Sequence, residues 1–187
     1  CAKDSIFWRV TELNCQVTVV PANVSLKSVL NQKPDGIFLS NGPGDPMATF
    51  KKFGKVLSQI LYETSIPVFG ICLGHQLLGL ALGGKTIKMP FGHHGANHPV
   101  KEIKSGKVEI TSMNHGFAID SQSLSKEVAQ THISLFDGSN CGIEILNRNA
   151  FSVQFHPEAG PGPKDSYYLF RKFIDVIETH DLRTQNS

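Results

Sequence analysis

Phe69-Gly70-Ile71-Cys72-Leu73-Gly74-His75-Gln76 joins an apolar run, Pro67-Val68-Phe69-Gly70-Ile71, to a stretch over 74–82 that is apolar nearly all round. The run reads as a buried strand and the stretch as a buried helix. Between them stands G-x-C-x-G, the cysteine counterpart of the nucleophile elbow. Such a turn is tight, so side chains at positions 70 and 74 would meet neighbouring backbone, and the turn lifts Cys72 clear of the sheet. The helix N-terminus behind it adds partial positive charge and free N–H groups, which favour thiolate. The Leu73 N–H falls where an oxyanion donor is expected. An inert core cysteine is the alternative, and the flanking glycines weigh against it.

A thiol nucleophile needs a base, and Phe151-Ser152-Val153-Gln154-Phe155-His156-Pro157-Glu158 offers one at a strand end. Pro157 holds His156 extended. Residues two apart in extended chain point the same way, so Glu158 is expected to reach the His156 ring and select its tautomer. Ser40-Asn41-Gly42-Pro43-Gly44-Asp45-Pro46 follows another short apolar strand, Gly36-Ile37-Phe38-Leu39. That places it at the carboxyl edge where open α/β sheets bind ligands. His93-His94-Gly95-Ala96-Asn97-His98 holds three histidines within a Gly/Pro-rich stretch. With no cysteine or acidic residue near in sequence, a hydrogen-bonded loop is favoured over a metal site. Asn114-His115-Gly116-Phe117 suits an amide or amino-acid ligand, or is simply a turn.

Further out, apolar spacing predicts helices over 2–13 and 48–63, a short helix from Ser25 to about Gln32, and a closing helix over 165–178. Strands are expected over 16–20, 36–39 and 67–71, then as short segments over 85–88, 99–104, 107–112, 128–134, 142–146 and 151–155. Strands alternating with helices imply an α/β domain, an open mostly parallel sheet with helices on both faces, followed by a β-rich second half. At 187 residues one domain is expected, 1–187. Eighteen basic against sixteen acidic residues, with no long run of like charge, leave no footprint for nucleic acid or a membrane surface. No apolar stretch approaches a membrane span. Four scattered cysteines (Cys1, Cys15, Cys72, Cys141) suggest no disulfide framework, so a reducing cytoplasm is the default.

Taken together, these motifs resemble the class I (triad) glutamine amidotransferases, and within them the glutaminase domain of carbamoyl phosphate synthetase small subunits. The resemblance runs from about Ala2 to Ile177. Branch-specific stretches are Phe91-Gly92-His93-His94-Gly95-Ala96-Asn97-His98-Pro99-Val100 and the tail His156-Pro157-Glu158-Ala159-Gly160-Pro161-Gly162-Pro163. It implies a flavodoxin-like fold with Cys72 as nucleophile, His156 as base and Glu158 as its orienting partner. It further implies Gly42 and Leu73 as backbone oxyanion donors, with Gly44, Gln76, Asn114, Gly116 and Phe117 holding L-glutamine. The family cleaves the glutamine amide through a thioester and passes ammonia to a large synthetase subunit, for pyrimidine or arginine precursors. No metal or cofactor is implied in this domain, ATP and Mg being expected only on the synthetase partner.

The resemblance also implies a strand ahead of Cys1 and an upstream N-terminal domain, both expected to be missing here. A bare chain of this length is then expected to hydrolyse glutamine poorly. Two other functions compete. One is the glutaminase of another branch, serving anthranilate, aminodeoxychorismate or GMP synthesis, against which 91–100 argues. The other is a catalytically silent scaffold, against which an intact Cys72, His156 and Glu158 argue.

Overall fold

The computed structural model describes residues 3–159 and 162–185. Cys1, with Gly160 and Pro161 of the tail motif, lies outside the described residues. The elements in order are α1 (Asp4–Thr11), α2 (Leu26–Leu30), β1 (Ile37–Leu39), α3 (Pro46–Glu63), β2 (Val68–Ile71) and α4 (Leu73–Ala81). They continue with β3 (Lys85–Glu102), β4 (Val108–Asp120), β5 (Val128–Ser134), β6 (Asn140–Ile145), β7 (Ala150–Val153) and α5 (Tyr168–Gln185). The helices start where side chains can cap them. Ser25 accepts the Ser28 N–H ahead of α2, and Asp45 accepts those of Met47 and Ala48 ahead of α3, where Pro46 fills the first turn.

Among the described residues the strands form one seven-stranded sheet in the order β1-β2-β7-β6-β5-β3-β4. Both neighbours of β2, β1 and β7, run parallel to it. Every later pairing is antiparallel. The α/β expectation holds, but the sheet is mixed rather than mostly parallel, its parallel pairings confined to β1, β2 and β7. The β-rich half makes the sheet mixed, because its hairpin-like connections are too short for parallel crossovers.

Strand alternation divides the core between two faces. Phe69 and Ile71 of β2, with Phe151 and Val153 of β7, pack on one side against Ile6 of α1 and Leu169, Phe170, Phe173 and Ile174 of α5. The Phe69 and Phe151 rings stack at 4.5 Å. Val68, Ala150 and Ile143 face the other side, against Leu57, Ile60 and Leu61 of α3 and Leu78 of α4. Helices therefore cover both faces of the parallel strands, as expected.

Three local expectations are corrected. No strand forms over 16–20, where Val17, Val19 and Val20 are exposed: β1 is the last strand at this edge among the described residues, and no described strand pairs with the segment. The separate segments 85–88 and 99–104 are parts of one long strand, β3, so the three histidines lie in a strand rather than a loop. Likewise Asn114-His115-Gly116-Phe117 lies within β4. Two register breaks, between Lys88 and His93 and between Gly95 and His98, let glycine- and histidine-rich chain stay in the ladder.

Candidate active site

β1, β2 and β7 are parallel neighbours, so their carboxyl ends lie along one edge of the sheet. The residues that follow them are the 40–45 loop, Cys72, and the segment leading to His156. The fold thus brings together three stretches far apart in sequence, at the edge where open α/β sheets take ligands.

Cys72 is the N-cap of α4, with φ 55° and ψ −105°. For a non-glycine residue this is a strained conformation, costing on the order of 1–3 kcal/mol, and it persists only where its surroundings enforce it. They do. The Cys72 N–H donates to Val153 O at 3.0 Å, its carbonyl accepts the Gln76 N–H at 3.2 Å, and the side chain is buried. A Cβ on Gly70 would lie 2.8 Å from the Gly74 carbonyl, and one on Gly74 would overlap the Leu39 carbonyl oxygen. Both glycines are therefore demanded by close backbone approach, as the motif suggested.

His156 is buried behind the thiol. Its ring hydrogen-bonds the Cys72 side chain, and its Nδ1 meets Glu158 Oε1 at 2.7 Å. With a carboxylate as acceptor, Nδ1 carries the hydrogen and Nε2 is left for the thiol. The expected extended path from His156 to Glu158 is corrected. The chain turns here, with the Ala159 N–H donating to His156 O at 3.2 Å, and the turn delivers the carboxylate to the ring. Glu158 is almost wholly buried and has a second partner, Lys3 Nζ, at 3.4 Å.

Burial alone would lower the His156 pKa, but the hydrogen bonds and charge of Cys72 and Glu158 outweigh it and raise the pKa to about 9. Burial alone would raise the Glu158 pKa, but His156 and Lys3 hold it below the usual carboxylate range. These directions fix a pH dependence. The His156 contribution to stability is complete below its ordinary pKa and disappears as pH rises through about 9. That of Glu158 is present above its ordinary pKa and disappears as pH falls through its lowered one. The melting-temperature gap between wild type and His156→Asn should therefore be wide at about pH 6 and narrow by about pH 10. A gap that widens toward alkaline pH contradicts this charge arrangement.

In front of Cys72 opens a cleft of about 670 Å³. Gly42, Gly44, Cys72, Gln76, Asn114, Gly116, Phe117 and His156 all line it, eight of the ten residues singled out from the sequence. The other two lie behind its wall. Glu158 backs His156, and Leu73 packs beneath Gly42, where a Cβ would come within 2.8 Å of the leucine side chain. Gln76 Nε2 donates to Phe117 O at 2.8 Å and to Gln154 Oε1 at 3.0 Å, bracing the β4 wall against α4. The buried His115 ring also donates from Nδ1 to Phe117 O, at 2.8 Å, and burial pushes its pKa down to about 4.

Sequence reasoning missed Lys3, His94 and His115 as cleft residues. Lys3 lies far from Glu158 in sequence and carries no motif. The histidines were visible but read as loop or turn, and only the β3–β4 ladder brings them to the cleft. The three histidines of the 93–98 stretch diverge: His94 faces the cleft, while His93 and His98 are buried with ring centroids 5.1 Å apart. His93 Nε2 meets Asp137 Oδ2 at 3.0 Å. Among the described residues no group of three His, Cys, Asp or Glu side chains is placed to hold a metal.

A strained cysteine elbow at the ends of parallel strands, backed by His and Glu, is the arrangement expected of a triad amidotransferase. The family model for glutamine amidotransferase class-I matches residues 2–176, and this chain belongs to that family. Over 177 residues it is 62% identical to the carbamoyl phosphate synthase small chain of Ruegeria pomeroyi, covering 95% of this chain and 46% of that one. It is 66% identical over 165 residues to the same-named protein of Rhizobium meliloti, covering 88% and 41%. The chain thus spans less than half the length of these relatives. Two solved structures share the fold. A Thermoplasma acidophilum protein described as a component of GMP synthase superposes with TM-score 0.85 at 19% identity, covering 97% of this chain and 91% of that one. A Thermotoga maritima glutamine amidotransferase gives 0.58 at 20% identity, covering 83% and 66%. No described helix is long and apolar enough to cross a membrane.

Proposed function

We propose that this chain hydrolyses the side-chain amide of L-glutamine and releases ammonia for carbamoyl phosphate synthesis on a large synthetase subunit. The observation that carries the reading is the series Cys72, His156 and Glu158, the first two lining one cleft and the third backing His156. Cys72 and His156 share one proton, which His156 holds, and the sulfur attacks the amide carbon. The oxyanion that forms is met by the N–H groups of Gly42 and Leu73, beside the helix terminus. Protonated His156 then gives its proton to the leaving nitrogen, which departs as ammonia and leaves a thioester. Water enters, gives a proton to His156, and attacks the thioester to release glutamate and free the sulfur, with the shared proton back on His156. Glu158 holds Nδ1 throughout and stabilises the imidazolium.

Gly44, Gln76, Asn114, Gly116 and Phe117 surround the amino-acid portion of the substrate. The chemistry calls for no metal or cofactor in this chain, and ATP and Mg belong to the synthetase partner. The names of the relatives support the carbamoyl phosphate branch, and we propose that its product serves pyrimidine or arginine synthesis in the cytoplasm. The part of those relatives that this chain does not match leaves room for the further N-terminal domain proposed beside this one.

A glutamine-like diazo ketone tests the reading by competition. It should alkylate Cys72 and spare Cys15 and Cys141, and glutamine should protect. Burial pushes the Cys141 thiol up to about 12, and burial with nearby acidic groups also raises that of Cys15. Uniform labelling by peptide mass mapping, or no protection by glutamine, would count against an activated nucleophile at Cys72.

A further inference from the structure

We infer that His94 is a positioning residue for amide cleavage, acting through the side chain of Asn114. The inference rests on the glutaminase reading above. Between its two register breaks, β3 stays paired to β4 only at His93, His94 and Gly95, which face His115, Asn114 and Met113. His94 and Asn114 are thus direct cross-strand neighbours, and their side chains meet at the cleft, with His94 Nδ1 2.8 Å from Asn114 Oδ1. An amide oxygen only accepts, so Nδ1 carries the hydrogen. Gly92 makes room for the ring: a Cβ there would come within 2.6 Å of both His94 Nε2 and His115 O.

The clamped residue stands beside the nucleophile. Asn114 O lies 3.8 Å from Cys72 Sγ, and the next residues of β4, His115 to Phe117, continue the cleft wall. With Oδ1 engaged, the two hydrogens of the Asn114 amide have a fixed direction, and the bulged part of the ladder gains a side-chain tie where backbone pairing is shortest. His156 serves the proton transfers, and His115 is committed to Phe117 O. His94 is exposed and has no task in the core, yet its ring is oriented by a bond to a cleft residue. Fixing such a donor before substrate arrives lowers the ordering cost of binding.

A double-mutant cycle on the full chain in its assembly with the synthetase partner tests this, by glutamine hydrolysis kinetics of wild type, His94→Ala, Asn114→Ala and the pair. His94→Ala should raise KM for glutamine about tenfold and change kcat by less than about threefold, the signature of lost substrate positioning. The pair should match Asn114→Ala alone, because His94 has nothing left to orient. His94→Gln should recover most of the loss, since its side-chain amide can donate to the same oxygen. Additive effects, an unchanged KM in His94→Ala, or equal losses in His94→Gln and His94→Ala each overturn the inference while leaving the functional reading intact. A wild-type assembly that does not hydrolyse glutamine overturns both.

Discussion

Replacing Cys72 by Ala or Ser should lower glutamine-dependent carbamoyl phosphate synthesis by the assembled enzyme on the order of a thousandfold or more, and leave synthesis from added ammonia near wild type. The size of the loss follows from the position of the thiol. In the proposed mechanism its sulfur bonds the amide carbon, and no other described cysteine lines the cleft. The selectivity follows from the proposed chemistry, in which free ammonia enters the reaction after the step assigned to Cys72. Both replacements are small and leave the Val153 and Gln76 backbone bonds of the elbow in place. Assaying both nitrogen donors on the same preparation decides the matter. Parallel loss of the two activities would make Cys72 a structural residue.

Gly74→Ala is expected to be the most damaging single-methyl change in the site. The added carbon would overlap the Leu39 carbonyl oxygen and sit 2.7 Å from the Leu39 carbonyl carbon. The obstacle is backbone at the end of β1, so no rotamer change relieves it. Either the strand or the first turn of α4 must shift, and the elbow shifts with it. A cost of about 3 kcal/mol or more is expected. For a domain of this size that lowers the melting temperature by roughly 6–12 °C. Glutamine hydrolysis should fall further than stability, because displacements of about 1 Å at a nucleophile cost large factors in rate. Differential scanning calorimetry beside a hydrolysis assay reads both. A variant melting within about 2 °C of wild type would show that the elbow tolerates a side chain at 74.

The elbow was legible in the sequence because its constraint is local: glycines two residues either side of a cysteine, between an apolar strand and a buried helix, leave few other structures. The 40–46 loop and the His156–Glu158 pair were legible for the same reason. What escaped depends on partners distant in the chain. The valines of 17, 19 and 20 have strand character, but a strand exists only with a neighbour, and here the described sheet stops at β1. Residues 93–98 and 114–117 have the composition of loops, yet each is the other's ladder partner across two bulges. Extended alternation between His156 and Glu158 was the wrong local geometry for a correct pairing, because a turn closes the same contact. The Lys3–Glu158 ion pair joins opposite ends of the chain and leaves no local trace.

The placement of β7 beside β2 has a consequence for how the enzyme comes into being. Those two strands lead into Cys72 and toward His156, yet β3, β4, β5 and β6 all lie between them in the chain. Closing that pairing is a non-local event, of the kind that is slow in folding and gated by loop-closure entropy. Until it happens, Cys72 lacks both His156 and the Val153 carbonyl that ties down its backbone. A nascent chain that has made β1, β2 and α4 therefore holds an ordinary cysteine. On the proposed mechanism the reactive form is born only when that strand arrives, and a partly made or misfolded copy would leave glutamine uncleaved.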